Sequence, residues 1–167
     1  TLPLVPAIVD AMTKAVQEMG KAETFRGYGP EQGYDFLRKA IIEGDYKPYG
    51  IEIGMDEVFV SDGAKSDVGN IQELFSEDNI IAITDPVYPV YLDSNVMGGR
   101  TGQAVDGMFE KVVYLPTFAE NNFSPEFPAE RVDIVYLCSP NNPTGTVLSR
   151  ARLAEWIKWC KENDAIL

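Results

Sequence analysis

The chain has 167 residues and a formal net charge of −12, from 14 lysines and arginines and 26 aspartates and glutamates, and it contains no histidine and two cysteines. Without histidine, a Ser–His–Asp or Cys–His catalytic unit cannot form, and two cysteines cannot supply a four-ligand structural zinc site. The acidic balance argues against nucleic acid as a partner, because nucleic-acid binders present basic surfaces. We therefore expect a globular protein with neither a metal site nor a nucleic-acid partner.

No segment of the chain predicts contact with a membrane. No apolar run approaches the roughly 18 residues that span a bilayer, and no basic segment precedes an apolar stretch as in a signal peptide. Cys138 ends an apolar run and Cys160 lies on a helical stripe, so both are predicted to be small buried hydrophobes, which suits a cytoplasmic protein. The chain begins at Thr1, and residues 164–167 resemble the start of a further strand, so we expect part of a longer protein.

The first fifty residues predict helices around a glycine-rich turn. Residues 6–19 favour a helix because apolar residues recur along one face; these are Ile8, Ala11, Met12, Ala15 and Met19. Residues 26–33 form the glycine-rich turn, and Pro30 suits the first turn of a second helix that reaches about residue 43. That helix is expected to bury four apolar side chains, those of Phe36, Leu37, Ala40 and Ile41. A loop over residues 48–54 follows.

From there strands and helices alternate. The predicted strands are residues 57–61, 80–84, 103–105, 112–115 and 132–138, and the predicted helices are residues 64–75, 90–97 and 150–163. The strand at 132–138 is almost continuously apolar, which is typical of a strand buried on both faces of a parallel sheet. Two of these helices are expected to bury an apolar stripe. The helix at 64–75 would bury Val68, Ile71, Leu74 and Phe75. The helix at 150–163, with Ser149 as its N-cap, would bury Leu153, Trp156, Ile157 and Cys160. The alternation predicts a three-layer α/β/α fold with a mainly parallel sheet.

Ligands of open α/β sheets lie outside the carboxyl ends of the strands, and three predicted strands end in unusual loops. The first is Ser-Asp-Gly-Ala-Lys at residues 61–65, where Gly63 turns a strand directly into a helix. The free N–H groups and the dipole at such a helix start favour a phosphate group, which would also explain Lys65 in the first turn. The alternative is that Asp62 is an ordinary N-cap and Lys65 a solvated side chain.

The second loop places Tyr88 between Pro86 and Pro89, just past a strand end. An aromatic ring fixed there could stack on a flat cofactor, or it could be an ordinary packing tyrosine. The residues alone do not decide between Tyr88 and Tyr91 for this role.

The third loop, residues 139–145, reads Ser-Pro-Asn-Asn-Pro-Thr-Gly and follows the apolar strand. A proline restricts the residue before it to extended conformations, so Asn142 is fixed in one pose with an amide that can donate and accept hydrogen bonds. A plain turn is the alternative, because asparagine, proline and glycine are all turn formers.

These segments resemble motifs of the fold-type I, pyridoxal-phosphate-dependent aminotransferases. The Asn142 loop is similar to the asparagine loop of that family, residues 85–89 (Asp-Pro-Val-Tyr-Pro) to its cofactor-stacking loop, and residues 28–38 to its Tyr…Gly…Leu-Arg segment. The motifs occur in the family's order and cover nearly the whole chain. The resemblance implies pyridoxal 5'-phosphate as cofactor, amino acids and 2-oxo acids as substrates, a homodimer, and a single partial domain over residues 1–167. Within it, residues 1–50 supply the N-terminal helices and 51–167 half of the cofactor-binding large domain.

By the same resemblance, a set of residues at the strand ends would bind the cofactor. Gly63 and the backbone of Ala64 and Lys65 would hold its phosphate, Tyr88 would stack on its pyridine ring, and the Asn142 side chain would hydrogen-bond the ring's phenolic oxygen. Lys65, Tyr88 and Asn142 would also face the substrate.

Two further roles would act across a dimer interface. Tyr28 would reach the phosphate in the partner's site. Residues 23–34 and 61–65 resemble family members that act on a substrate with two amino groups, and Glu31 would approach its distal amine. A carboxylate suits that position because a charge-assisted hydrogen bond recognises an ammonium group.

The resemblance also shows what this chain lacks. The lysine that forms the Schiff base, the acid that pairs with the pyridinium nitrogen and the arginine that binds the substrate carboxylate all fall outside it. We therefore expect an active enzyme in the full-length dimer and no catalytic residue or activity in these 167 residues alone. The alternatives are a related aminotransferase with another substrate choice and a non-catalytic α/β module that binds a phosphorylated ligand.

Overall fold

The computed structural model describes residues 2–167 and divides the chain into two compact units, Thr1–Asp62 and Gly63–Leu167. In the described residues, the α-helices are α1 (Pro6–Met19), α2 (Asp35–Ile41), α3 (Ala64–Asn70), α4 (Val90–Met97) and α5 (Arg150–Glu162). The strands are β1 (Ile81–Asp85), β2 (Ala104–Val105), β3 (Met108–Phe109), β4 (Val112–Pro116) and β5 (Ile134–Tyr136). None of the helices in this part of the chain is both long and apolar enough to cross a membrane.

In the first unit the predicted helix α1 is confirmed, and the second predicted helix is wrong in its start and in its buried face. Helix α1 has the predicted bounds, with Pro6 in its first turn. Helix α2 begins at Asp35 and not at Pro30, whose carbonyl oxygen instead accepts a turn hydrogen bond from the Gly33 N–H at 2.9 Å. The predicted burial of the α2 side chains is also wrong, since Phe36, Leu37 and Ala40 are exposed and Ile41 is only half-buried. Among residues 2–62 only Val58 is buried, so this unit has little core of its own to cover that face.

The predicted strand at residues 57–61 does not form. Met55–Glu57 is a 3₁₀ turn, and Val58 after it is extended. The Val60 N–H donates to the Gln32 carbonyl at 2.9 Å, which fixes the segment at one point. A strand requires a repeating ladder of such bonds with a neighbour, and the sequence pattern cannot show whether that neighbour is present.

The second unit is built on a parallel sheet of three strands in the order β4-β1-β5. In the register of this sheet, Ile81 of β1 lies opposite Val112 of β4 on one side and Ile134 of β5 on the other. A parallel bridge joins Ile134 to Ile166 at the outer side of β5. The α/β fold with a parallel sheet is therefore confirmed, although β5 is shorter than the predicted strand at 132–138.

A small hairpin adds an element that the sequence analysis missed. Strands β2 and β3 pair antiparallel, with Ala104 opposite Phe109. Asp106 and Gly107 connect them, and both have positive φ, 51° and 83°. This is the conformation of the tight hairpin turn that Asp-Gly favours. The Asp-Gly dipeptide is therefore the sequence feature from which the hairpin and strand β3 could have been predicted.

Both faces of the sheet are covered. One core cluster contains Ala82, Leu115, Val132, Val135, Trp156 and Cys160, and the other contains Ile81, Ile83, Val112 and Ile134. Helix α5 packs through Trp156, which has no exposed surface, while Ile157 on the predicted stripe is 47% exposed. The Ser149 cap is confirmed, because its Oγ accepts a hydrogen bond from the Arg152 N–H at 3.1 Å.

The helix after Gly63 has a different buried face from the one predicted. It changes to a 3₁₀ helix over Ile71–Leu74, which has three residues per turn and therefore rotates the following side chains. Gln72 is buried (3% exposed), and its Nε2 donates to the Val68 carbonyl, whereas Leu74 is 78% exposed. Of the two cysteines, Cys160 is buried as predicted and Cys138 is only half-buried.

Candidate functional site

Two of the three loops meet at one edge of the sheet. Because β1 and β5 are parallel neighbours, the loops that follow them leave the sheet at the same end. The Asn141 side chain joins them: its Nδ2 donates to the Pro86 carbonyl at 3.4 Å and to Thr144 Oγ1 at 3.0 Å. This contact connects the loop that carries Tyr88 with the loop that carries Asn142.

The third loop reaches the same region through Lys65. Its Nζ lies 5.8 Å from the centre of the Tyr88 ring, within the range of a cation–π interaction. Helix α3 starts directly after Gly63, which occupies the N-cap position that one interpretation gave to Asp62. Gly63 has a φ of 147°, and a Cβ atom there would meet only open space, so the need for glycine comes from backbone conformation and not from crowding.

The structure distinguishes Tyr88 from Tyr91. Tyr91 stacks on Tyr136, with ring centres 5.4 Å apart and planes 25° apart. Burial raises the pKa of Tyr91, and a hydrogen bond with the Cys138 thiol raises it further. Tyr91 is therefore a packing residue of the core, whereas the half-buried Tyr88 ring contacts Tyr91 edge-on and also contacts Lys65.

The asparagine loop is closed by its own hydrogen bonds. The Asn141 N–H donates to the Thr146 carbonyl at 2.8 Å, and the Gly145 N–H donates to the Asn141 carbonyl at 2.7 Å. Asn142, next along the loop, is exposed. The sequence pattern predicts Asn142 as a site residue and does not indicate that Asn141 joins two loops. The paired asparagines were the only signal for it.

The remaining two predicted site residues belong to the unit Thr1–Asp62. Tyr28 is fully exposed and Glu31 is exposed, both on the glycine-rich turn. In the Gly63–Leu167 unit the structure brings together Lys65, Tyr88 and the asparagine loop. Within residues 2–167, no three histidine, cysteine, aspartate or glutamate side chains are grouped to hold a metal ion.

Comparison with known proteins matches this chain to one family along nearly its whole length. The family described as "Aminotransferase class I and II" matches residues 4–167. The LL-diaminopimelate aminotransferase of Methanosphaera stadtmanae is 61% identical over 168 aligned positions, and that of Phocaeicola vulgatus is 57% identical over 167. The alignments cover all of this chain, which spans only 41% of the length of each of these relatives.

Solved structures give the same fold. The L,L-diaminopimelate aminotransferase of Chlamydomonas reinhardtii has a TM-score of 0.87 and 40% identity, with 100% of this chain and 41% of that chain covered. An apo structure of BacF from Bacillus subtilis has a TM-score of 0.76 and 30% identity, with 99% and 41% covered.

Proposed function

The chain belongs to the aminotransferase class I and II family, and from this premise we propose that it forms the cofactor-holding part of a pyridoxal-phosphate-dependent aminotransferase. The proposed substrates are LL-diaminopimelate and 2-oxoglutarate, interconverted with tetrahydrodipicolinate and glutamate. The proposed role is the formation of lysine and peptidoglycan precursors, and the proposed compartment is the cytoplasm. The observation that carries the proposal is the 61% identity to an LL-diaminopimelate aminotransferase over the whole chain.

The residues at the sheet edge fit the proposed cofactor. A phosphate group suits the start of α3, where the helix dipole favours an anion and Lys65 adds a positive charge. The half-buried ring of Tyr88 offers a flat surface for a pyridine ring, and the exposed amide of Asn142 can donate a hydrogen bond to a ring oxygen. When bound, pyridoxal phosphate supplies an electron sink for charge that develops at the substrate α-carbon.

The substrate assignment rests on the same side chains and on Glu31. In the proposed site, Lys65, Tyr88 and Asn142 would face the substrate, as the family resemblance implies. In the proposed homodimer, Tyr28 binds the phosphate in the partner's site and Glu31 binds the distal ammonium group of the diamino acid there. Both side chains are exposed on the surface of their unit, which leaves them accessible for such contacts.

A hybrid protein tests the proposal. Residues 1–167 replace the aligned segment of the Methanosphaera stadtmanae relative, which makes up 41% of that protein, and the rest of the relative is kept. We expect the hybrid to bind pyridoxal phosphate and to form glutamate from 2-oxoglutarate when LL-diaminopimelate is the amino donor. The unmodified relative is the control for folding and assay conditions.

The outcomes separate the alternatives. Faster turnover with a monoamino donor than with LL-diaminopimelate would indicate a related aminotransferase with another substrate choice. A folded hybrid that binds pyridoxal phosphate without transferring amino groups would indicate a module that only binds a phosphorylated ligand.

A further inference from the structure

The glycine-rich turn that carries Glu31 is held in place by the residue next to it. Gln32 is half-buried and makes hydrogen bonds through both its main chain and its side chain. Its carbonyl accepts from the Val60 N–H at 2.9 Å, and its Nε2 donates to the Asp56 carbonyl at 3.3 Å. The turn is therefore attached to residues 55–60 of the same unit at a point directly beside Glu31.

Arg38 of helix α2 completes this attachment. Its Nη1 donates to Gln32 Oε1 at 3.1 Å and to the Met55 carbonyl at 2.8 Å, and its Nη2 donates to Asp35 Oδ1 at 2.6 Å. The Arg38 side chain is only 12% exposed, although this unit has almost no buried core. A guanidinium with this little exposure and this many partners fixes its neighbours, because its donors form a rigid planar fork.

The backbone approaches closely at the same place. Gly33 has a φ of 100°, and a Cβ atom there would lie 2.8 Å from two carbon atoms of Val60. Only glycine satisfies both conditions, so the turn lies against Val60 without an intervening side chain. Three consecutive residues therefore differ in their surroundings. Glu31 is exposed to solvent, Gln32 is hydrogen-bonded to residues 55–60 and to Arg38, and Gly33 allows the backbone to lie against Val60.

We propose that Gln32 and Arg38 are positioning residues that fix Glu31 for recognition of the second ammonium group of a diamino acid substrate. This inference rests on the proposed function, since it needs Glu31 to contact that group. A carboxylate on a free turn would lose conformational entropy on binding, and an attached turn has already lost it. Gln32 and Arg38 therefore raise the affinity for the diamino acid, although neither side chain contacts the substrate or the cofactor.

The test uses the hybrid protein with Gln32→Met and Arg38→Lys. Gln32→Met keeps the volume and the main-chain bond to Val60 but removes the side-chain hydrogen bonds. Arg38→Lys keeps the charge but loses the planar fork. We expect each to lower kcat/KM for LL-diaminopimelate about tenfold relative to kcat/KM for glutamate in the opposite half-reaction, chiefly through KM. The dissociation constant for LL-diaminopimelate, from a spectral titration, should rise by the same factor.

Two further variants make the result decisive. Arg131→Lys, at an exposed arginine paired with Asp133, is the matched control and should leave the ratio unchanged. The double variant Gln32→Met, Glu31→Gln should lower the ratio of kcat/KM values little further than Glu31→Gln alone. The effects of two substitutions are not additive when both act through the same contact. Melting temperatures of all variants separate these effects from loss of folding.

The remaining outcomes overturn the inference in distinguishable ways. If Gln32→Met and Arg38→Lys reduce both half-reactions equally while Glu31→Gln still discriminates the substrates, the two residues are merely structural and the proposed function stands. If the unmodified hybrid shows no preference for the diamino acid, the proposed function fails and the inference fails with it.

Discussion

The Nζ of Lys65 lies 5.8 Å from the centre of the Tyr88 ring, which brings the start of helix α3 beside the loop after strand β1. The two residues are 23 positions apart in the sequence, and each is predicted as a site residue from the pattern of its own loop. Their contact places a positive charge next to an aromatic face at the carboxyl edge of the sheet. That combination suits a ligand with both an anionic group and a flat ring.

Lys65 is expected to act through its charge and not as a nucleophile. A lysine that forms a stable adduct with an aldehyde is normally desolvated in an apolar pocket or placed beside a second cation, and Lys65 is exposed. After treatment of the chain with pyridoxal phosphate and borohydride, peptide mass mapping should show no more label on Lys65 than on the exposed Lys158. Preferential labelling of Lys65 would contradict the roles proposed for this loop.

Glu31→Gln should change which substrate the hybrid protein prefers. Loss of a charge-assisted hydrogen bond to the distal ammonium group should lower kcat/KM for LL-diaminopimelate by roughly 10- to 100-fold. Steady-state kinetics with glutamate, which has no second amino group, should change by less than about twofold. Glu23→Gln, at another exposed glutamate of the same unit, is the control. An equal decrease in kcat/KM with both substrates would show that Glu31 does not determine substrate specificity.

Trp156→Ala should destabilise the Gly63–Leu167 unit strongly. Trp156 is fully buried, and its ring packs edge-on against Phe127 at 4.7 Å and Trp159 at 5.8 Å. Removing such a side chain costs about 3–5 kcal/mol because a cavity remains. Ile157→Ala, one residue further on the exposed side of α5, should cost within about 0.5 kcal/mol. Thermal melting of the hybrid measures both, and equal melting temperatures would contradict the observed packing.

The two cysteines should differ in reactivity. The thiolate is the reactive form, and burial raises the pKa of Cys160, so less of this thiol is ionised at a given pH. Iodoacetamide at pH 8 should therefore modify the half-buried Cys138 well before Cys160, and the difference should disappear in urea. Mass spectrometry of the digested chain follows both sites over time. Equal rates in the folded protein would indicate that Cys160 is accessible.

Much of the secondary structure could be predicted from the sequence, because its signals are local. The bounds of α1 and α4 agree with the predicted helices, and α5 has the predicted start and its Ser149 cap. Helical spacing, a capping side chain and proline-bounded strand ends each act within a few residues. The segment at residues 57–61 shows the limit, since its apolar pattern is that of a strand but pairing depends on a distant neighbour.

Sequence patterns alone predict most of the alternation of strands and helices, the loops that follow β1 and β5, the helix start after Gly63 and the family resemblance. The sequence does not reveal that Tyr91 packs against Tyr136 while Tyr88 lies beside Lys65, or that Asn141 joins two loops. The physical reason is that periodicity and turn chemistry describe how a segment folds locally. Which side chain is left available for a ligand depends on contacts between segments that are far apart in the chain.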